Sequence, residues 1–290
     1  MEKKSRSFLW RESLKKKCLI FFFFWYIMEE RGICMTNNFV KIIMIIMALC
    51  CFIGCKKDER LTKLENVLDS LTLTDEIKAK IRANRQEFLA DLETLFMADS
   101  DDLLILVDKK HVLPSTYAPT DLVPVEDTPY MKTNRPGHSL RKPVYEALDI
   151  MCRAAKEDGL TMLISSTYRS YQYQDTLYSR YTKIYGEEET AKFSAKPGTS
   201  QHQLGVVIDF GNVEDSFAET DESKWLEANA EKYGFALSFP KGYEYVTGFK
   251  WECWQYRYIG LEAIKMQNKW FEDINQYLHE FVDMWRKIEL

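Results

Sequence analysis

A chain of 290 residues with 46% hydrophobic and 29% charged side chains has the balance of a globular protein, long enough for one well-buried domain plus appendages. This excludes a disordered or fibrous chain. The formal net charge is −5, but residues 1–54 hold 9 Lys/Arg and 4 Asp/Glu, which leaves 30 basic and 40 acidic residues and argues against nucleic acid as a partner.

In chain order, Lys41, the apolar run 42–53 and Phe52-Ile53-Gly54-Cys55 make a basic start, a short apolar core and a small residue before a cysteine. The pattern predicts a bacterial lipoprotein signal peptide beginning at Met35 and cleaved before Cys55, whose thiol is then acylated. Residues 1–34 read as an upstream extension, so 1–54 is set apart from the mature chain. A pair of membrane spans is the competing reading. It is disfavoured because the apolar runs 18–28 and 42–53 both fall short of the roughly 20 residues a span requires. The expected location is the bacterial cell envelope, lipid-anchored through Cys55 and facing the periplasm or outside. Of seven cysteines only Cys152 and Cys253 then remain, and an oxidising compartment lets them pair if the fold brings them together. No Cys-x-x-Cys is present for a structural zinc knuckle.

Residues 55–100 read as a helical spacer. Leu61, Leu64, Leu68 and Leu71 recur at helical spacing, and Thr74-Asp75-Glu76 caps a second helix through Ile77, Ile81, Phe88, Leu92 and Leu95. The main domain is expected over 101–262. It starts with the apolar run 102–107 and an extended surface arm, 113–122, stiffened by Pro114 and Pro119. Residues 140–156 predict a helix with Val144, Leu148, Met151 and Ala155 on one face, ended by Gly159. A buried strand over 160–165 runs into Ser166-Thr167-Tyr168-Arg169-Ser170-Tyr171 and a helix from Gln172 to about Tyr185. A strand ending at Asp209, a helix over 222–233, a strand over 234–237 and a last strand carrying Glu252 follow. One long helix from Leu261 places Ile264, Trp270, Ile274, Leu278, Phe281 and Trp285 inward, so that 263–290 pack on the domain. The order predicts an α+β fold, a small mainly antiparallel sheet with helices packed on one side. Neither a Gly-rich phosphate loop nor a Gly-x-Ser-x-Gly elbow is found.

The residues that carry chemistry fall in three places. Ser200-x-His202-x-x-Gly205-x-Val207-x-Asp209 joins a loop imidazole to a strand-end carboxylate. A lone loop histidine is more often structural than ligating, but the flanking Pro197-Gly198-Thr199-Ser200-Gln201 and the apolar approach to Asp209 favour a metal pair. Glu252, between Trp251 and Trp254, is a candidate proton carrier; a surface glutamate is the competing reading. Arg169, just past a strand, is able to polarise a scissile carbonyl or hold a substrate carboxylate, or else to make a plain helix-start salt bridge. Gln255 offers only an amide oxygen, a weaker zinc donor than imidazole. Of His111, His138 and His279 none stands where a third ligand is expected, although the fold is able to bring His138 nearer, and Cys253 is a softer candidate.

Together these residues resemble the zinc D-alanyl-D-alanine carboxypeptidases of the VanY type over about residues 102–262. The resemblance rests on Ser166-Thr167-Tyr168-Arg169-Ser170-Tyr171-x-x-Gln174 and Pro197-Gly198-x-Ser200-x-His202-x-x-Gly205-x-x-x-Asp209. It continues through Trp225-Leu226-x-x-Asn229-Ala230-x-x-Tyr233-Gly234-Phe235 and Glu252-x-Trp254-Gln255-x-Arg257-Tyr258-x-Gly260. It implies a hedgehog/DD-peptidase-like fold and a Zn2+ cofactor held by His202 and Asp209. It also implies Glu252 as general base and acid, Arg169 as the transition-state stabiliser, and Ser166, Tyr168, Gln174 and Ser200 as substrate contacts. The implied reaction is hydrolysis of the terminal D-Ala bond of a peptidoglycan stem peptide by zinc-activated water, D,D or else L,D, in a monomer. The family's last motif reads Glu-Pro-Trp-His, whereas this chain has Glu252-Cys253-Trp254-Gln255, so Gln255 stands where the third ligand belongs. The alternative is a catalytically silent lipoprotein that binds peptidoglycan.

Overall fold

The structure, a computed structural model, describes residues 59–99 and 102–288; the expected signal peptide and Cys55 lie outside them. Helices α1 (residues 59–70), α2 (Asp75–Ala83) and α3 (Arg85–Ala98) come first. Thr74 caps α2, its Oγ1 accepting from the Ile77 N–H at 3.2 Å, and Asp75 and Glu76 sit favourably at the positive end of the helix. Then follow β1 (Leu122–Pro124), β2 (Met131–Thr133), β3 (Ser139–Arg141), α4 (Lys142–Glu157), β4 (Met162–Ser166), α5 (Tyr171–Tyr185) and α6 (Glu187–Phe193). The chain continues through β5 (Val207–Phe210), α7 (Asp221–Asn229), β6 (Phe235–Phe239), α8 (Glu244–Thr247), β7 (Glu252–Tyr258), α9 (Leu261–Trp270) and α10 (Asn275–Lys287). No helix among the described residues is long and apolar enough to cross a membrane.

Five strands form one sheet in the order β2-β4-β5-β7-β6, antiparallel except for β2 with β4; β1 and β3 make a separate two-stranded ribbon. The architecture is the expected α+β one. The strands β1, β2 and β3 were not expected, because three residues are too few to show a period of two.

The helices divide between two apolar cores. In the first, Val144, Leu148, Met151 and Ala155 of α4 meet Met162, Ile164, Val207, Phe210 and Tyr256 of the sheet. The second gathers α1–α3 with α9 and α10: Leu64, Leu68, Ile77, Ile81, Phe88 and Leu92 against Ile264, Trp270, Leu278 and Phe281. Phe88 meets Trp270 and Phe281 edge-on, with ring centroids 5.3 and 5.0 Å apart. Residues 61–98 are therefore no spacer but part of the compact unit Leu61–Leu290. Their apolar faces would cost too much in water to trail as a tether. The single long helix expected from Leu261 is two. The chain turns between Phe271 and Ile274, with Glu272 and Asp273 at φ 53° and 61°, and buried Phe271 fills the corner.

Candidate active site

Antiparallel pairing aligns Ser166 of β4 with Asp209 of β5, and Asp209 with Gln255 of β7, so three polar residues form a row across adjacent strands. His202 joins them from the 3-10 turn Gln201–Leu204. Ser200 Oγ accepts from the His202 N–H at 3.3 Å, and Gly205 closes the turn at φ 69°. A Cβ at Gly205 would lie 3.1 Å from both Arg141 Cγ and Leu122 Cδ2, so glycine serves both the backbone angle and the packing of the β1–β3 ribbon. The proline-stiffened arm buttresses the same turn. Gln203 Nε2 donates to the Pro114 and Tyr117 carbonyls, each at 3.1 Å, and the Leu113 N–H donates to Gly198 O at 2.8 Å.

The imidazole is oriented by a backbone group: His202 Nδ1 lies 2.6 Å from the Thr167 carbonyl, to which it donates. In the neutral ring Nε2 is then a bare acceptor. It lies 3.3 Å from Asp209 Oδ2 and 3.2 Å from Gln255 Oε1. Acceptors converging on one point in a buried site favour a cation between them, a proton or a metal. Asp209 is only 2% exposed and its Oδ1 has no hydrogen-bond partner. Zinc–nitrogen and zinc–oxygen bonds of about 2.0–2.1 Å give a tetrahedral edge of about 3.3–3.4 Å, close to both separations. The donor set therefore fits a divalent ion. Among the described residues no three His, Cys, Asp or Glu side chains form such a group, because the third member is an amide.

Arg169 faces the same point. Its Nη2 lies 2.8 Å from Asp209 Oδ2, its Nε donates to Ser166 Oγ at 2.8 Å, and its Nη1 is only loosely held, 3.5 Å from Gln174 Oε1. Burial alone pushes the Asp209 carboxyl up, but His202, Arg169 and the Ser166 hydroxyl outweigh it and hold the group below its ordinary value. Glu252 goes the other way. Burial first and the Asp209 charge second push its carboxyl up to about 8, against the opposing pull of Arg169 and the Trp254 indole. In an unbroken strand Glu252 and Gln255, three apart, would face opposite ways. The β6–β7 pairing slips between Leu237 and Phe239, and both residues reach one cavity.

That cavity holds about 420 Å³. Arg169, Ser200, His202, Asp209, Glu252 and Gln255 all line it. Ser166 and Gln174, expected to touch substrate, instead stand behind Arg169, with Gln174 Nε2 anchored to the Ala195 carbonyl at 2.7 Å. Tyr168 is half-buried and is also absent from the lining. His138 comes no nearer as a donor, since Thr167 Oγ1 and Asn134 Oδ1 occupy its two ring nitrogens at 3.2 and 2.9 Å. Cys253 turns to the carbonyls of Glu214 and Asp215, and both Cys253 and Cys152 are free and buried, so the considered disulfide is not formed. Sequence reading missed Thr167, whose carbonyl orients His202; a backbone acceptor leaves no mark in residue type. It also missed the apolar wall of Leu177, Tyr181 and Phe193. The spacing of Leu177 and Tyr181, four apart on α5, was the available signal.

The arrangement suits hydrolytic chemistry. Residues 137–261 match the VanY family, described as D-alanyl-D-alanine carboxypeptidase. The chain is 32% identical over 204 residues to YodJ of Bacillus subtilis (strain 168), named as a carboxypeptidase, covering 68% of this chain and 72% of that protein. Among solved structures, the LdcB LD-carboxypeptidase superimposes with TM-score 0.55 and 31% identity over 63% of this chain and 86% of that one. VanYB in complex with D-alanine-D-alanine gives TM-score 0.51 and 25% identity over 62% and 97%. The chain belongs to the VanY D-alanyl-D-alanine carboxypeptidase family of cell-wall peptidases.

Proposed function

We propose that this protein is an envelope carboxypeptidase that removes the terminal D-alanine of peptidoglycan stem peptides. In this reading it is tethered by a lipid on Cys55 and depends on zinc held by His202 and Asp209. The observation that carries the reading is Glu252: a carboxyl pushed up to about 8 that shares a cavity with His202, Asp209 and Arg169. When bound, the cation supplies Lewis acidity at the scissile carbonyl. Glu252, once ionised, would take a proton from the attacking water and deliver it to the leaving amine, and its raised affinity for protons suits the acid half of that task. Arg169, fixed by Ser166 and Asp209 through Nε and Nη2, keeps Nη1 able to donate to the developing oxyanion. Tyr181, Phe193 and Trp251 line the same cavity and would pack on the peptide and exclude water.

Incubation of the purified, zinc-loaded protein with muramyl pentapeptide and tetrapeptide tests this reading. Free D-alanine from the pentapeptide supports D,D cleavage, and release from the tetrapeptide alone moves the specificity to L,D. No release from either at any zinc concentration overturns it. A second reading, a domain that binds stem peptides without cleaving them, draws on the amide at position 255. Saturable binding of intact pentapeptide without release selects that one.

A further inference from the structure

We infer that Gln255 completes the cation site through Oε1. The site then has one nitrogen and two oxygen donors, and it holds its cation loosely with little preference for zinc over manganese. The inference rests on the reading that a divalent ion occupies the cavity.

Backbone pairing of β5 with β7 sets Gln255 beside Asp209, and its side chain is 5% exposed, so the amide is built into the site. Its Oε1 stands 3.2 Å from a histidine nitrogen whose ring N–H is committed to Thr167. Two other candidate nitrogen and sulfur donors are spent. Both ring nitrogens of His138 are hydrogen-bonded, and Cys253 Sγ points to the Glu214 and Asp215 carbonyls. Arg169 also donates to Asp209 Oδ2, the oxygen 3.3 Å from His202 Nε2, while Oδ1 of that buried carboxylate has no hydrogen-bond partner.

The chemistry of such a set differs from that of two imidazoles and a carboxylate. Imidazole nitrogen favours zinc strongly over manganese, whereas carboxylate and amide oxygens favour it little. Exchanging one nitrogen for an oxygen therefore weakens zinc much more than manganese. An amide Oε1 also reaches about as far from its Cα as an imidazole Nε2, so Gln255→His restores the nitrogen without moving the strand.

The test uses the whole chain, stripped with a chelator and titrated with Zn2+ and with Mn2+ alone in competition with a calibrated chelator dye. Native protein is compared with Gln255→His, Gln255→Leu and Gln255→Met, the last keeping length and removing the oxygen. Melting of each metal-free protein identifies any variant that has lost its fold, and whichever of the two apolar variants melts like the native chain is the one compared. Gln255→His is expected to tighten zinc by roughly 10²-fold and manganese by less than about fivefold. The apolar variant is expected to weaken both. Zinc binding by that variant as tight as native, or an equal gain for both metals in Gln255→His, overturns the assignment, as does failure of the native chain to bind either ion. D-alanine release is scored separately on the same samples. The expected binding pattern without release sinks the peptidase reading alone. Release by native protein together with an apolar variant that binds zinc as tightly sinks the donor assignment alone.

Discussion

Replacing the Glu252 carboxyl by its neutral isostere, Glu252→Gln, is expected to stabilise the metal-free protein above pH 8 and to leave it unchanged at low pH. The carboxyl titrates at about 8 in the fold against 4.5 in an ordinary setting, because it is buried and lies near the Asp209 charge. A folded value above the unfolded one means its contribution is intact below about pH 4.5 and is lost progressively as the pH rises to about 8. At about 1.4 kcal/mol per pKa unit the full loss is of order 5 kcal/mol, and water entering the open cavity reduces it to about 2–5 kcal/mol. For a chain of this size that amounts to a melting difference of roughly 5–15 °C between native and variant at pH 9. Calorimetry of both proteins in chelator at pH 5, 7 and 9 measures it, and a cation bound at the proposed site is expected to narrow the gap by placing positive charge near Glu252. Parallel pH profiles for the two proteins would refute the claim that this carboxyl is held against its preference for charge.

Other expectations follow from packing and hydrogen bonds. Phe88→Ala empties an aromatic cluster shared with Trp270 and Phe281 and is expected to cost about 3–5 kcal/mol in urea unfolding; a true spacer residue would cost nothing. Arg257, 1% exposed, donates through Nη2 to the Leu103 and Ile105 carbonyls at 2.9 and 2.8 Å. Arg257→Ala is expected to lose about 3–5 kcal/mol by the same assay. Gly205→Ala forces a Cβ against Arg141 and Leu122 at a left-handed angle, with a cost above about 1 kcal/mol and weaker zinc binding as the His202 turn shifts. Arg169→Lys keeps a charge but cannot hold Ser166 and Asp209 at once, so kcat for D-alanine release is expected to fall by about 10²-fold with little change in KM.

The part of the site that lies within one stretch of chain was readable in advance. His202 and Asp209 belong to one turn and the strand that leaves it, and Arg169 sits three residues from the Ser166 it binds. What depends on pairing was hidden. The row Ser166, Asp209, Gln255 exists only once β4, β5 and β7 take their register, and the slip that brings Glu252 beside Gln255 leaves no compositional trace. The helical faces of 61–98 were legible as apolar stripes, but a stripe does not name its partner. Their partners lie close to the C-terminus, so the segment looked like a tether. The break at Glu272 and Asp273 was masked for a similar reason: Trp270, Ile274 and Leu278 keep helical spacing across it.

The second core ties the start of the described chain to its end. Lys269 Nζ reaches Asp91 Oδ2 at 2.6 Å across 178 residues of sequence. Helices α1–α3 are thus synthesised well before α9 and α10, which supply much of the apolar surface they pack against. If the chain is exported as proposed, their leucine-rich stripe would lack its α9 and α10 partners for nearly the whole passage, a natural foothold for a chaperone. A truncated product would reveal itself by never covering that stripe.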